Sequence, residues 1–188
     1  MSLAASVGGV DIDTRRLPPG APEADAGVTG LYRAHAAGLV KLALVMLGDR
    51  ATAEDVVQEA FFGLYRNWGG LSEPAKALAY VRGSVLNGCR AALRQRYRRR
   101  RRDRAAAGHA PAAATSPEDA VLIGEEHRAV LAAVRSLPAR QREALALRFY
   151  LGVPEEETAR AMGVSRGTVK SSVSRALASL GKRLREES

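Results

Sequence analysis

The sequence predicts an all-α fold: two small helical domains joined by a flexible basic linker. Three observations predict it. Apolar residues recur at three- and four-residue steps, no segment shows a convincing strand alternation, and Ser, Pro and Gly stand at the segment borders. A length of 188 residues suits one ordinary domain or two small ones. A change of composition near residues 99–115 argues for two, without one large shared core.

The first 28 residues are rich in Gly, Pro and Ala and lack apolar periodicity, so a disordered tail is expected over 1–28. Three helices are then expected, over Thr29–Leu47, Ala51–Trp68 and Glu73–Arg98. Gly48-Asp49 and Gly69-Gly70-Leu71-Ser72 separate them, and together they make a compact bundle over 29–98. From Arg99 to Thr115 the chain passes from Arg-rich to Ala-, Gly- and Pro-rich without a face to bury, which marks the linker. The second domain, 116–188, opens on Ser116-Pro117-Glu118-Asp119, a cap, a first-turn proline and an acid three residues after the cap. Helices over Pro138–Leu151, Pro154–Met162 and Ser165–Leu184 follow.

The formal charge is +9, which points to a polyanionic partner, nucleic acid before others. The excess is local: Arg94 to Arg104 holds eight arginines against Asp103 alone, a net +7. Cys89, the single cysteine, cannot form an internal disulfide, and a reducing cytoplasm is the default. The longest apolar run, Leu39 to Leu47, is interrupted by Lys41, and no basic-then-apolar leader opens the chain. The expectation is a cytoplasmic protein without membrane insertion. His35, His109 and His127 are scattered without ligand spacing and no nucleophile–base pairing stands out, so no catalytic residue, metal or cofactor is expected.

On a helix over Ala51–Trp68, residues Val57, Ala60, Phe61, Leu64 and Trp68 form a stripe to be buried. The opposite stripe carries Asp55, Gln58, Glu59, Phe62 and Arg66, which puts a large aromatic on a polar face. Phe62 is an isolated exposed ring or an interface anchor, and the helix alone does not decide. The third helix buries Leu78, Val81, Val85, Cys89 and Ala92 and gathers Tyr80, Asn87, Arg90, Arg94 and Arg98 on the far side. Arginines neutralise phosphate, a tyrosine ring stacks on a base, and an amide bonds a base edge. A solvated charged face is the plain alternative.

Near the C-terminus, Glu157-Thr158-Ala159-Arg160-Ala161-Met162-Gly163-Val164-Ser165 fits the first helix and turn of a helix-turn-helix. Ala159 is small where helices approach, Gly163 permits a left-handed turn, and Val164 packs beneath it. The next helix buries Val169, Val173, Ala176 and Leu180 and shows Lys170, Ser171, Ser174, Arg175 and Ala178 outward, which lets it settle in a major groove.

From about Thr29 to Leu184 these features resemble the extracytoplasmic-function group of bacterial sigma factors. Leu31-Tyr32-Arg33 and Ala53-Glu54-Asp55-Val56-Val57-Gln58-Glu59-Ala60-Phe61 are similar to sigma region two, and Ser165 to Ala176 to the recognition helix of region four. The resemblance implies a factor that binds core RNA polymerase and directs promoter recognition and DNA opening, with the polymerase supplying the chemistry. It implies polymerase docking through Asp55, Gln58, Glu59 and Phe62, which settles Phe62 as an interface residue. It places Tyr80, Asn87, Arg90 and Arg94 at the minus-ten element, with residues 69–77 as the loop that captures a flipped base. Thr168, Lys170, Ser171, Ser172, Ser174 and Arg175 fall at the minus-thirty-five element. Ala79, just before Tyr80, stands where many relatives carry a tryptophan that serves melting, and Tyr80 is the candidate substitute; Lys170 and Ser172 stand where relatives often carry arginine, which removes bidentate guanine readers, so the preferred sequence is expected to differ. An anti-sigma protein is a further partner that the resemblance allows. Two other readings compete: an autonomous helix-turn-helix regulator, which would need a sensing domain upstream, and a nonspecific nucleic-acid-compacting protein, which leaves the second domain's outer face unexplained.

Overall fold

A computed structural model describes residues 21–71, 73, 76–106 and 125–186. Among the described residues seven α-helices run in the order α1 (Ala21–Leu47), α2 (Arg50–Arg66), α3 (Ala77–Ala106), α4 (Glu125–Ser136), α5 (Ala139–Leu145), α6 (Glu155–Met162) and α7 (Arg166–Glu186). A 3-10 turn over Trp68–Gly70 follows α2, and a π-helical turn over Ala146–Tyr150 extends α5. No strand occurs among the described residues, in line with the all-α expectation. The tail over 1–20, the second part of the linker and the expected helix start at Ser116 lie outside the described residues.

Two borders differ from the expectation. α1 starts at Ala21 rather than Thr29, because Ala21-Pro22-Glu23-Ala24 places proline in a first turn among strong helix formers. α3 does not stop at Arg98 but continues through Ala106, so the first part of the expected linker is helical. Arginine and alanine are good helix formers, and a helix already anchored by its packed N-terminal half needs no buried face to extend.

Local chemistry sets the helix ends. Asp49 caps α2 by accepting the Thr52 amide at 3.0 Å, and it also accepts the Thr52 hydroxyl. These two bonds hold the Asp49 carboxyl below its ordinary value. α1 ends on carbonyls that two distant guanidiniums satisfy: Arg142 of α5 donates to Met46 O at 2.6 Å and Arg96 of α3 to Leu47 O at 3.1 Å. Cations belong at this end of a helix, where the unpaired carbonyls carry partial negative charge.

The first three helices pack through Leu39, Leu42, Ala43 and Met46 of α1, Val57, Ala60, Phe61 and Leu64 of α2, and Val81, Val85 and Cys89 of α3, all buried. Burial of each large aliphatic side chain stabilises by about 1.5–3 kcal/mol. Tyr32 meets Phe61 edge-on with ring centres 5.0 Å apart. α3 lies close against α2 at Gly88, where an added Cβ would come within 2.7 Å of the Val56 Cγ1 atom. By length and composition α1 is apolar enough to cross a membrane, yet its Leu39–Leu42–Met46 stripe is spent on α2 and α3.

The expectation of separate cores is not met. Ala144, Leu147, Val153, Ala159, Met162 and Val169 belong to the same buried cluster as the α1–α3 residues. Among the described residues Leu137, Leu145 and Ala176, with Val134 and Leu180 against them, make a small core private to the second half. The shared core exists because α3 buries a second side. Leu86, wholly buried, lies off the Val81–Val85–Cys89 stripe and towards Arg90.

Candidate nucleic-acid interface

On α2, Asp55, Gln58, Glu59, Phe62 and Arg66 are all exposed, as the periodicity required, and Phe62 is 54% exposed. The Arg66 guanidinium sits 4.7 Å from the centre of the Phe62 ring and also pairs with Glu59 at 3.5 Å. The result is an aromatic surface ringed by polar groups, the arrangement of an interface anchor.

On α3, Tyr80, Asn87, Arg94 and Arg98 are exposed along one side. Tyr80 leans on the end of α2: the Asn67 side-chain amide donates to the Tyr80 hydroxyl at 3.4 Å and to Gly63 O at 2.8 Å. The Arg run continues α3 as a helix, so Arg98 and Arg101 extend this side while Arg99 and Arg100 leave the backbone at other angles. Cys89 is buried, and burial pushes its thiol up to about 12, which makes it a small core residue without reactivity.

Arg90 departs from the expectation. Its side chain is 19% exposed and turned away from solvent, towards the second half. There it pairs with Glu143 of α5, which is 1% exposed, and donates to Met162 O at 3.1 Å. A third bond, Arg90 to the Asn87 side-chain oxygen at 3.0 Å, links this pair to the exposed amide. Burial pushes the Glu143 carboxyl up and the Arg90 charge opposes it. Arg140 adds a bond to Met162 O at 3.0 Å, and Arg82 of α3 pairs with Glu157 of α6 at 3.1 Å. Between α3 and α6 runs a cleft of about 330 Å³, lined by Tyr80, Asn87 and Arg82 on one side and Glu157, Arg160 and Ala161 on the other.

The helix-turn-helix forms as its residue types require. Gly163 adopts φ 66 and ψ 40 after α6, Val164 N–H bonds Ala159 O at 3.0 Å, and Gly163 N–H bonds Arg160 O at 3.1 Å. This paired pattern ends a helix on a left-handed residue, and glycine adopts it without a Cβ penalty. Ser165 then caps α7 through its hydroxyl, which accepts the Thr168 amide at 3.2 Å. Thr168, Lys170, Ser174 and Arg175 are exposed on α7, and Ser171 is half-buried with its hydroxyl on Thr168 O.

Ser172 is the second departure, because it is 7% exposed. It stands three residues from Val169 and four from Ala176, on the stripe that packs inward, so its side chain does not face a groove. Serine's small size lets it occupy a buried position that the apolar pattern alone misses. Among the described residues no cluster of three His, Cys, Asp or Glu side chains could hold a metal ion.

Family comparisons match this layout. The model described as Sigma-70 region 2 matches residues 31–101, and that described as Sigma-70, region 4 matches residues 127–180. The chain is 32% identical to an RNA polymerase sigma-E factor of Streptomyces avermitilis over 149 residues, 79% of this chain and 78% of that one. It is 31% identical to the ECF RNA polymerase sigma factor SigL of Mycobacterium tuberculosis, over 89% of this chain and 94% of that one. In fold it is similar to the sigma factor RpoE of Bartonella quintana, solved in complex with the anti-sigma factor NepR. That similarity has a TM-score of 0.61 at 23% identity and covers 87% of this chain and 95% of that one. The chain therefore belongs to the extracytoplasmic-function group of the sigma-70 family, the factors that direct RNA polymerase to promoters for transcription initiation.

Proposed function

We propose that three faces of the chain divide the work of initiation. Asp55, Gln58, Glu59 and Phe62 on α2 dock core RNA polymerase. Tyr80, Asn87, Arg94 and a released Arg90 on α3 meet the minus-ten element once its strands part. Thr168, Lys170, Ser171, Ser174 and Arg175 on α7 meet duplex DNA at the minus-thirty-five element. Residues 29–98, with the helical extension to 106, form the module for docking and opening, and 116–188 the module for duplex recognition. One observation carries this reading: an exposed, cation-covered aromatic on the docking helix occurs in the same chain as a capped helix-turn-helix with lysine and arginine outward.

The chemistry supports the division. Phosphate contacts by arginine supply affinity without sequence information, whereas side chains on a positioned helix read base edges. Tyrosine and asparagine suit an unpaired base, whose face and edge are both open. The chain supplies binding energy, and bond formation resides in the polymerase. A cytoplasmic location follows from that partnership. An anti-sigma protein is proposed as a further partner, of the class seen with the Bartonella quintana factor. Footprinting of promoter fragments tests the reading: protection at both elements is expected only with chain and core polymerase together. Specific protection by the chain alone would favour an autonomous regulator.

A further inference from the structure

The first turns of α1 pack on the end of α2, ahead of residue 31, where the match to Sigma-70 region 2 begins. The Trp68 indole lies across Gly27: a Cβ added there would come within 2.2 Å of the Trp68 Cη2 atom and 2.3 Å of Cζ2. Only a residue without a Cβ admits that approach. Ala24 is buried one turn earlier, and Val28, Trp68 and Leu71 each pack against the main core. On the same side the Asp25 carboxylate accepts the Tyr65 hydroxyl, and burial together with that charge pushes the phenol up. Glycine weakens a helix when nothing compensates; here the indole fills the room that a side chain would have taken.

The indole anchors the turn that leaves α2. Leu71 N–H bonds Trp68 O at 3.1 Å and Gly70 N–H bonds Asn67 O at 3.0 Å, whereas a side chain at Gly69 or Gly70 would meet open space. Two successive glycines give the backbone wide freedom, so the packed side chain beside them sets where the turn lies. Asn67, next to Trp68, donates through one side-chain amide to Gly63 O at 2.8 Å and to the Tyr80 hydroxyl at 3.4 Å. A side chain held in place before its partner arrives has less freedom to lose on binding. A continuous path of contacts therefore runs from Gly27 through Trp68 and Asn67 to Tyr80.

We infer that Gly27 and Asn67 are positioning residues for promoter opening: Gly27 seats Trp68, Trp68 fixes the turn over Asn67–Leu71, and Asn67 holds the Tyr80 ring ready to stack on an unpaired base. The first turns of α1 then belong to the opening module without a contact of their own to nucleic acid. This rests on the assignment of Tyr80 to the minus-ten strand, and Tyr80→Ala in the same assay separates failure of that assignment from failure of the brace.

The test uses the full chain, alone and as holoenzyme. Trp68 is the single tryptophan, so its emission reports the brace directly. Gly27→Ala is expected to shift that emission to longer wavelength. It should slow opening, followed by permanganate reactivity, by roughly tenfold, within the worth of a base–aromatic stack, while core polymerase affinity and closed-complex formation stay at wild-type values. Gly30→Ala adds the same methyl to the same helix where nothing lies within 4 Å, and it should change neither readout. Trp68→Phe introduced into the Gly27→Ala chain removes the ring that the methyl meets and should restore opening. Asn67→Ala breaks the last link and should slow opening as much, with the Gly27→Ala and Asn67→Ala double variant no slower than either, because both act through Tyr80. If Gly27→Ala loses helicity, Asn67→Ala carries the test. Unshifted emission in Gly27→Ala, wild-type opening despite a shift, equal slowing in Gly30→Ala, or additive slowing in the double variant would each overturn the brace, provided that Tyr80→Ala itself opens slowly. Opening at the wild-type rate in Tyr80→Ala would instead remove Tyr80 from the minus-ten strand, and the inference with it.

Discussion

Arg66 covers the Phe62 ring from 4.7 Å, one helical turn further along α2, and the ring stays exposed. The ring is thus pre-positioned by its own helix before any partner arrives, which reduces the ordering cost of binding. Phe62→Ala should weaken binding to core polymerase by about 1–3 kcal/mol, the range of an interface anchor. Arg66→Ala should cost less, about 0.5–1 kcal/mol, if it acts only through the ring. Titration against core polymerase measures both, with far-UV circular dichroism to show that α2 persists. Undiminished affinity, or loss of helicity, would remove Phe62 from the interface.

The Arg run lies on α3 with fixed phase, so its members should not be equivalent. Arg98 and Arg101 continue the side that carries Asn87 and Arg94, whereas Arg99 and Arg100 point elsewhere around the helix. Removing one phosphate-neutralising arginine should lower the slope of log affinity against log salt by about 0.9. The pair Arg98→Ala and Arg101→Ala is expected to flatten the holoenzyme's salt dependence more than the pair Arg99→Ala and Arg100→Ala. Equal flattening would mean that the run acts as unplaced charge.

Arg175 and Asn87 should act at different stages. Arg175→Ala is expected to weaken closed-complex formation by about 1–3 kcal/mol, the worth of a base-edge contact, and a pre-melted template should not rescue it. Asn87→Ala should bind the closed promoter normally and slow strand opening. Permanganate reactivity of unpaired thymines follows that step, and wild-type opening rates in Asn87→Ala would place the functional face of α3 wrongly.

The α2 stripes are legible in the sequence because each residue's exposure depends on neighbours three and four positions away. The turn at Gly163 is legible for a similar local reason: glycine there meets a backbone demand that is visible in the sequence. Arg90 and Leu86 are not, because what settles them lies on α5 and α6. Arg90 finds its carboxylate 53 residues along the chain, and no periodicity reports a partner at that range. Ser172 escapes for a third reason: a small hydroxyl side chain fits a buried position as well as an exposed one. Helical continuation to Ala106 escapes because lack of a buried face argues against isolated helices and not against extensions of packed ones.

The cap at Asp49 fixes where α2 begins, and with it the direction of the face that carries Asp55, Gln58, Glu59 and Phe62. Asp49→Ala should cost about 1 kcal/mol of stability at neutral pH. Because its bonds to Thr52 hold the folded-state carboxyl below its unfolded value, the contribution is full above the ordinary carboxylate range and is lost as pH falls through the lower folded value. Denaturant midpoints of wild type and Asp49→Ala should therefore differ at neutral pH and converge under acid. A gap that persists or grows on acidification would contradict the capping role.

The most direct measurement is to sequence the 5′ ends of transcripts made by purified core polymerase on genomic DNA, with and without this chain. A set of start sites should appear only when the chain is present, each preceded by two shared sequence elements at a constant spacing, and Phe62→Ala should deplete the whole set together. Identical start sites in both reactions, or a set that Phe62→Ala leaves at full strength, would contradict the account of how this chain brings polymerase to promoters.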